Sequence, residues 1–301
     1  MRVIFLGTSS AVPTKDRGLT SLAVMFDGEY VLIDAGECTQ RRIIEAGLGF
    51  GRLKRVFITH LHGDHFLGLF PMIQTLGILR RSSPLEIYSP PGLAALLECL
   101  KEHSSFRVDF PLTLVEFNNE KIFEFRKYTV KVFPVNHGDT PTFGIKISEK
   151  PKPGKLDVER ADQLGVPPVL RGLLKKGIEV KLPDGRVVRP QDVLGPPRKG
   201  KVLVYSSDTR PIETVVKEAA GADLLIHDAT FTGDLAERAV ATGHSTVEEA
   251  CQVALKAGVK RLALTHFSAR YKKEDLARIE EMARRMFPNA FVARDLMIVD
   301  L

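Results

Sequence analysis

The chain has 301 residues, of which 44% are hydrophobic and 27% charged, and a formal net charge of +6. These values predict a soluble globular protein with one large domain, or one domain with an insertion. No stretch of about 18 or more apolar residues occurs, so a membrane-spanning helix is not expected. The apolar run Val3–Leu6 is too short for a signal peptide. Three scattered cysteines, Cys38, Cys99 and Cys251, argue against disulfides and favour the cytoplasm. We expect all three to be packing residues.

The first half of the chain is predicted to contain mainly strands. The Asp27-Gly28 dipeptide favours a tight turn between the strands Ser21–Phe26 and Tyr30–Ile33. The apolar run Arg55–Thr59 predicts a strand that leads directly into His60. The other elements predicted here are the strand Val3–Leu6, the helices Leu67–Leu79 and Leu93–Glu102, and the strands Leu112–Phe117, Ile122–Phe125, Thr129–Val135 and Thr142–Ile147.

The segment Glu149–Lys201 differs in composition from its surroundings. It holds 8 of the 18 prolines, and its 13 lysines and arginines exceed its 7 acidic residues by six, which is the surplus of the whole chain. Dense proline breaks regular structure, and a basic surplus in one segment suggests a polyanionic partner. We interpret residues 149–201 as an arm inserted into a single domain of residues 1–301. A solvated surface explains the charge equally well.

Strands alternate with helices after this segment. The predicted strands are Val202–Tyr205, Leu224–His227 and Arg261–Thr265, and the predicted helices are Ile212–Ala219, Ser245–Ala257 and Lys273–Met286. The whole pattern predicts an α/β sandwich, with helices outside two packed sheets.

The strongest chemical signal is the segment His60-Leu61-His62-Gly63-Asp64-His65, which holds four potential metal ligands within six residues. Imidazole and carboxylate groups are ligands that suit zinc. In an extended chain His60 and His62 point the same way and can reach one metal, while the turn through Gly63 can bring the other two towards a second. Further candidates end three apolar strands: His137, Asp208 and His266.

This constellation resembles the metallo-β-lactamase superfamily. The resemblance implies an αβ/βα four-layer sandwich with two zinc ions per subunit at its rim, and an aspartate, Asp208 here, that bridges the ions. The implied ligands are His60, His62 and His137 for one zinc, and Asp64, His65 and His266 for the other. Asp34 matches an early aspartate that supports the ligand loop through hydrogen bonds.

Within that superfamily, the chain resembles ribonuclease Z nearly end to end. The stretches that carry this similarity are Phe5–Thr14, Ser206–Arg210, Gly243–Thr246 and Thr265–Arg270, together with the basic insertion, which resembles the family's flexible tRNA-binding arm. Three motifs depart from the family. Its His-Glu-Ala-Thr reads His227-Asp228-Ala229-Thr230, its PxKxRN loop lacks the asparagine because Gly18 stands there, and the Gly-Pro of its arm reads Pro167-Pro168.

The resemblance implies a cytoplasmic, homodimeric hydrolase that removes the 3′ trailer of precursor tRNA, with no membrane partner. Its products would be tRNA with a 3′-hydroxyl and a trailer with a 5′-phosphate. Asp64 would act as the general base, and His244, oriented by Asp228, would protonate the leaving 3′-oxygen. The basic residues expected to contact RNA phosphates are Lys15, Arg17, Arg171, Lys175, Lys176, Lys181, Arg186 and Arg189.

Two other classes of function remain open from the sequence. A small-molecule phosphodiesterase or thioester hydrolase of the same fold would need neither the basic arm nor the His244–Asp228 pair. A nucleic-acid-binding protein with a structural zinc is the second alternative. Four protein ligands normally close a structural zinc site, whereas seven ligands shared by two ions leave positions open for water, which favours an enzyme. A secreted lactonase or β-lactamase is disfavoured because nothing suggests secretion.

Overall fold

Two seven-stranded sheets form the centre of the protein, whose computed structural model describes all residues, Met1–Leu301. In spatial order, the first sheet contains Ile298–Asp300, Arg2–Gly7, Ser21–Phe26, Glu29–Ile33, Leu53–Phe57, Leu85–Ser89 and Leu112–Glu116. The second contains Ala290–Val292, Leu262–Thr265, Leu224–Asp228, Val202–Tyr205, Thr142–Glu149, Tyr128–Val135 and Lys121–Glu124. Two small sheets pair Ser9–Ser10 with Phe267–Ser268, and Val180–Lys181 with Val187–Val188.

The helices are short to medium in length, and none is long and apolar enough to cross a membrane. The α-helices are Thr39–Glu45, Gly63–Phe66, Leu69–Ile78, Leu93–His103, Val158–Gln163, Arg171–Lys175, Pro190–Val193, Glu213–Ala219, Ala236–Thr242, Val247–Ala257 and Lys273–Met286. Three 3₁₀ turns cover Phe50–Arg52, Pro168–Leu170 and Gly233–Leu235.

Alternating side chains of the strands fill three apolar layers. Phe5 and Val24 of the first sheet pack with Ile145 and Ile226 of the second between the two sheets. The opposite face of each sheet is covered by helices: Ile73 lies in the layer outside the first sheet. The corresponding residues outside the second sheet include Val247, Ala250 and Leu276. This helix–sheet–sheet–helix arrangement confirms the predicted α/β sandwich.

By its internal contacts the chain divides into two compact units, one of residues 1–147 and 202–301 and the other of residues 148–201. The second unit contains more regular structure than its prolines suggested, because short helices and a strand pair enclose an apolar core of its own. That core consists of Ala161, Val166, Leu174, Val180, Leu182, Val188 and Val193. The two ends of the unit lie side by side, since the Glu149 amide donates to the Lys201 carbonyl at 2.8 Å.

Several predicted elements differ from the observed ones. The strand expected at Arg55–Thr59 ends at Phe57, so Thr59 and His60 already lie in the loop. The prediction that all three cysteines are packing residues is wrong, because Cys38 and Cys99 are exposed and only Cys251 is buried. Cys38 precedes the helix Thr39–Glu45, which was not predicted, in a left-handed conformation with φ 67°.

Candidate active site

Parallel neighbouring strands bring the polar residues that follow them to one edge of each sheet. In the second sheet Tyr205 pairs with Ile226, and Asp228 pairs with Thr265. The loops after these strands therefore meet, as is usual for sites at the carboxyl ends of parallel strands. The first sheet contributes Asp34 after Glu29–Ile33 and the histidine segment after Leu53–Phe57, again from parallel strands.

The predicted ligands form one cluster. Their side chains form overlapping groups in which the potential ligand atoms all lie within 4.8 Å of one another. Three of these groups are His60 with His62 and His137, His60 with His65 and Asp208, and Asp64 with His65 and His266. A fourth such group contains Asp208, Asp228, His244 and His266. Because the groups overlap, the seven predicted ligands and the predicted catalytic pair share one site.

Asp208 lies at the centre of the cluster. Its Oδ2 is 3.2 Å from His65 Nε2 and 3.3 Å from His266 Nε2, and 3.7 Å and 3.9 Å from the Nε2 atoms of His60 and His137. The carboxylate is almost fully buried. It therefore faces both of the ligand sets implied by the resemblance.

A buried carboxylate, Asp34, holds two of these histidines from behind. His65 Nδ1 lies 2.8 Å from Asp34 Oδ2, and the Thr59 hydroxyl donates to the same carboxylate at 2.9 Å. Since its proton is used there, the Thr59 hydroxyl accepts from His60 Nδ1 at 3.1 Å. Both imidazoles thus turn Nδ1 to these supporting groups and Nε2 to the cluster, which is the orientation of metal-ligating histidines.

Asp228 repeats this arrangement on the second sheet. The Thr230 hydroxyl donates to Asp228 Oδ1 at 2.6 Å and accepts from His266 Nδ1 at 2.9 Å. His244 Nδ1 lies 2.9 Å from Asp228 Oδ2. One buried carboxylate therefore orients both a candidate ligand and the candidate acid.

The remaining two histidines are oriented by other partners. His137 Nδ1 donates to the Gly243 carbonyl at 2.9 Å, which leaves its Nε2 free to ligate. His62 Nε2 contacts the Thr140 hydroxyl at 3.1 Å, and its Nδ1 faces His137 Nε2 at 3.2 Å. His62 thus turns its other nitrogen to the cluster.

Three residues at the site adopt the left-handed conformation that favours glycine. They are Asp34 with φ 59°, Ser207 with φ 58° and His266 with φ 64°. Such conformations cost roughly 1–3 kcal/mol each and tend to lie at functional sites. Their position after three strands shows that ligand geometry is maintained against local backbone preference.

The cluster fits a metal cation. His60 Nε2 and Asp208 Oδ1 are buried and have no hydrogen-bond partner. Burial, with the neighbouring charge of His65, lowers the pKa of His60 well below its usual value, so this imidazole is neutral with a free lone pair. The pKa of His65 is raised although burial acts the other way, because Asp208 and Asp34 both face it. Two carboxylates, Asp208 and Asp34, therefore favour positive charge at this point, and a bound metal ion would provide it.

The His244–Asp228 pair lies beside the cluster. The His244 ring centroid is 4.7 Å from that of His137 and 5.2 Å from that of His266. Burial lowers the pKa of His244, but the charge of Asp228 and the hydrogen bond to it outweigh this and raise that pKa to about 9. The imidazole is therefore protonated at neutral pH and suited to donate a proton.

The residues predicted to contact RNA separate into two groups. Lys15, Lys175, Lys176, Lys181, Arg186 and Arg189 are exposed. Arg17 is buried, and its guanidinium donates to the carbonyls of Tyr271 at 2.8 Å and Ser268 at 3.0 Å. Arg171 donates to the Val166 carbonyl at 3.1 Å and pairs with Asp162. Two nitrogens of the Arg17 guanidinium are thus engaged inside the protein, and an RNA contact through this residue stays a prediction.

Some functional contacts were missed from the sequence. The hydroxyls of Thr59 and Thr230 connect the buried carboxylates to histidines, and the Ala11 amide donates to Asp64 Oδ2 at 2.7 Å. Each threonine lies next to a predicted site residue or within a quoted motif, so that position was a usable signal. Nothing in the sequence marks Ala11.

Fold and site together define a protein of the metallo-β-lactamase superfamily. A family profile described as beta-lactamase superfamily domain matches residues 190–267, and one described as anti-Pycsar protein Apyc1 matches residues 1–152. Two curated relatives match over nearly the whole chain. Ribonuclease Z of Methanothermobacter thermautotrophicus is 46% identical, covering 100% of this chain and 97% of the relative. Ribonuclease Z of Salinibacter ruber is 44% identical, covering 99% and 94%.

Among solved structures, the short form of human tRNase Z superposes with a TM-score of 0.73 at 27% identity, covering 100% of this chain and 99% of that one. The chain belongs to the ribonuclease Z family. The expectation of a hydrolase, an endoribonuclease on the metallo-β-lactamase fold, is thereby confirmed.

Asp34→Asn tests whether the buried carboxylate positions the histidines. An amide cannot accept from both His65 and Thr59 as strongly as a carboxylate does, so we expect metal affinity to fall ~10- to 100-fold. The measurement is zinc binding in competition with a chromophoric chelator. Asp27→Asn in the exposed hairpin turn is the matched control and should bind zinc like the wild type. Unchanged affinity in Asp34→Asn would contradict the role.

Proposed function

We propose that this chain is the zinc-dependent endoribonuclease that removes the 3′ trailer of precursor tRNA, with two zinc ions in each subunit. The observation that carries the proposal is the hydrogen-bonded His244–Asp228 pair beside a cluster of seven candidate metal ligands. A ribonuclease with such a site needs an activated water, a cation at the phosphate and an acid for the leaving oxygen, and the cluster provides a place for each.

The ligand assignment follows the two sides of Asp208. His60, His62 and His137 would hold one ion, Asp64, His65 and His266 the other, and Asp208 both. Bound zinc would supply Lewis acidity and lower the pKa of a water molecule held between the ions. Asp34 would hold the histidine segment in place from behind.

The chain's own side chains would carry the proton transfers. Asp64 has a side chain 11% exposed, and the Ala11 amide fixes its Oδ2, so the carboxylate lies at the rim where an attacking water can give up its proton. The water oxygen bonds to phosphorus as the P–O3′ bond breaks. His244 donates its proton to the leaving O3′, and Asp228 stabilises the imidazole during this step. The tRNA then ends in a 3′-hydroxyl and the trailer begins with a 5′-phosphate.

The basic unit of residues 148–201 would bind phosphates of the precursor tRNA. Lys175, Lys176 and Lys181 are exposed and make no ion pair, whereas Arg186 pairs with Asp184 at 2.7 Å, and Arg189 lies 3.9 Å from Glu179. Of the residues predicted to contact RNA in this unit, these three lysines need no carboxylate to be displaced when they bind a phosphate. Such contacts position the RNA without reading its bases. Lys15 would contact RNA near the metal site.

Two further features of the proposal come from the family resemblance. We expect a homodimer, and we expect the enzyme to act in the cytoplasm, where precursor tRNA is processed. Both stay predictions.

Cleavage of a 3′-extended precursor tRNA tests the proposed function. We expect a cut directly after the discriminator base, lost on zinc removal, restored by zinc, and absent in His65→Ala because a central ligand is missing. Exposed His103→Ala is the matched control and should cleave normally. Hydrolysis of a small phosphodiester or thioester without any cut in the RNA would assign the chain to the alternative hydrolases.

Replacing residues 149–201 by a short linker tests the division of labour between the two units. The ends of the unit are adjacent, so the excision should leave the catalytic unit folded. We expect much weaker binding of precursor tRNA, by about 1 kcal/mol or more for each lost phosphate contact, and nearly unchanged hydrolysis of bis(p-nitrophenyl) phosphate. Equal loss of both activities would contradict a separate RNA-binding role.

Lys175→Gln combined with Lys176→Gln should weaken the binding of precursor tRNA, and the affinity of this double variant should depend less steeply on salt concentration than that of the wild type.

A further inference from the structure

Arg210 connects the metal cluster to the loop that carries His244. It follows Asp208 by two residues, and its side chain is only 19% exposed. Its Nη1 donates to the backbone carbonyl of His244. The guanidinium also makes a two-point pair with Glu249, with Nη1 2.9 Å from Oε2 and Nη2 bonded to Oε1. One side chain therefore ties the peptide of the candidate acid to the loop that bears the central ligand.

Glu249 is itself held in place at the start of the helix Val247–Ala257. Its Oε2 accepts from the Thr246 amide at 2.8 Å, while its own amide donates to the Thr246 hydroxyl at 3.2 Å, which forms a capping box. The carboxylate therefore cannot follow a displaced Arg210. A planar guanidinium is needed to satisfy the carboxylate at two points and still reach a carbonyl, and a lysine ammonium lacks that geometry.

The backbone on the other side of Arg210 is fixed as well. Its amide donates to the Asn136 carbonyl at 2.8 Å, next to the ligand His137. The Ser245 hydroxyl donates to the Thr209 carbonyl at 2.5 Å. The loop of His244 is thus held against the candidate ligand loops by main-chain contacts, to which Arg210 adds a charged side chain.

Two constraints on His244 are separate. The bond from its Nδ1 to Asp228 sets the rotation and the charge of the ring. The contact from Arg210 acts on the backbone carbonyl, so it sets where the ring lies relative to the cluster. A proton donor must come within hydrogen-bond reach of the leaving oxygen, and the contact from Arg210 acts on that distance through the backbone.

We propose that Arg210 is a positioning residue for the proton donor His244, and that Glu249 keeps Arg210 in place. The inference rests on the proposed function, in which the electron pair of the breaking P–O3′ bond goes to O3′ and the proton on His244 Nε2 follows it. Arg210 itself touches neither the substrate nor the water.

The test compares two substrates that differ in their need for an acid. Precursor tRNA has a poor alkoxide leaving group, whereas bis(p-nitrophenyl) phosphate releases a delocalised phenolate that needs no proton. In Arg210→Gln and Glu249→Gln we expect kcat on precursor tRNA to fall at least ~10-fold with KM changed less than about twofold, since positioned acids contribute ~100- to 10,000-fold. Hydrolysis of the nitrophenyl ester should stay within about twofold of the wild type.

A double-mutant cycle tests whether Arg210 acts through His244. If Arg210 acts through His244, the double variant Arg210→Gln/His244→Ala should cleave precursor tRNA no more slowly than His244→Ala alone. Zinc content is measured for each variant and should match the wild type, and a thermal midpoint above the assay temperature shows that each variant is folded. Arg41→Gln removes an exposed arginine that also pairs with a glutamate, and it serves as the matched control with wild-type activity on both substrates.

Three outcomes would overturn the inference. Equal loss on the two substrates would make Arg210 a support of the metal site as a whole. Additive losses in the cycle would show that it acts independently of His244, and unchanged kcat would remove its role. If the wild type fails to cleave precursor tRNA at all, the proposed function falls first, which distinguishes its failure from that of Arg210. Should Arg210→Gln fail to fold, Glu249→Gln decides, because it keeps an acceptor for the Thr246 amide.

Discussion

The active site depends on two buried carboxylates that hold histidines. Asp34 binds His65 directly and His60 through the Thr59 hydroxyl, and Asp228 binds His244 directly and His266 through the Thr230 hydroxyl. Each carboxylate accepts hydrogen bonds on the side of the imidazoles that faces away from the cluster. It therefore determines which ring nitrogen faces the cluster. Without this support, several imidazoles and carboxylates packed within van der Waals distance would repel one another or rearrange.

The two carboxylates belong to different sheets, and this relates the fold to the chemistry. Asp34 follows a strand of the first sheet, and Asp228 ends a strand of the second. The apolar layer between the sheets fixes their separation, with Phe57 and Tyr205 among its buried side chains. A change in sheet packing would therefore move the histidines held by Asp34 relative to those held by Asp228.

The same carboxylate serves a ligand and an acid on the second sheet. Asp228 raises the pKa of His244, and through the Thr230 hydroxyl it holds Nδ1 of His266 so that Nε2 faces the cluster. One carboxylate thus orients both imidazoles, because His244 bonds to the carboxylate itself and His266 bonds to a hydroxyl that the carboxylate holds. The aspartate that replaces the family's glutamate at this position still reaches His244.

The cluster of candidate ligands was predictable from sequence because its members lie at His60–His65 and then end apolar strands, where chain direction alone fixes their location. The contacts between them were not, since they join distant positions: His137 to Gly243, and Arg210 to Glu249. The burial of Arg17 was not predictable for the same reason, because its basic character is visible in the sequence and its carbonyl partners are not. The arm's composition indicated a separate segment, but its small apolar core depends on burial that proline counts do not reveal.

The arrangement of the candidate ligands predicts one metal ion on either side of Asp208. The most direct measurement is X-ray diffraction from zinc-loaded crystals at energies above and below the zinc absorption edge. We expect two anomalous peaks, one among His60, His62 and His137 and one among Asp64, His65 and His266, both next to the Asp208 carboxylate. A single peak, or a peak away from Asp208, would contradict it.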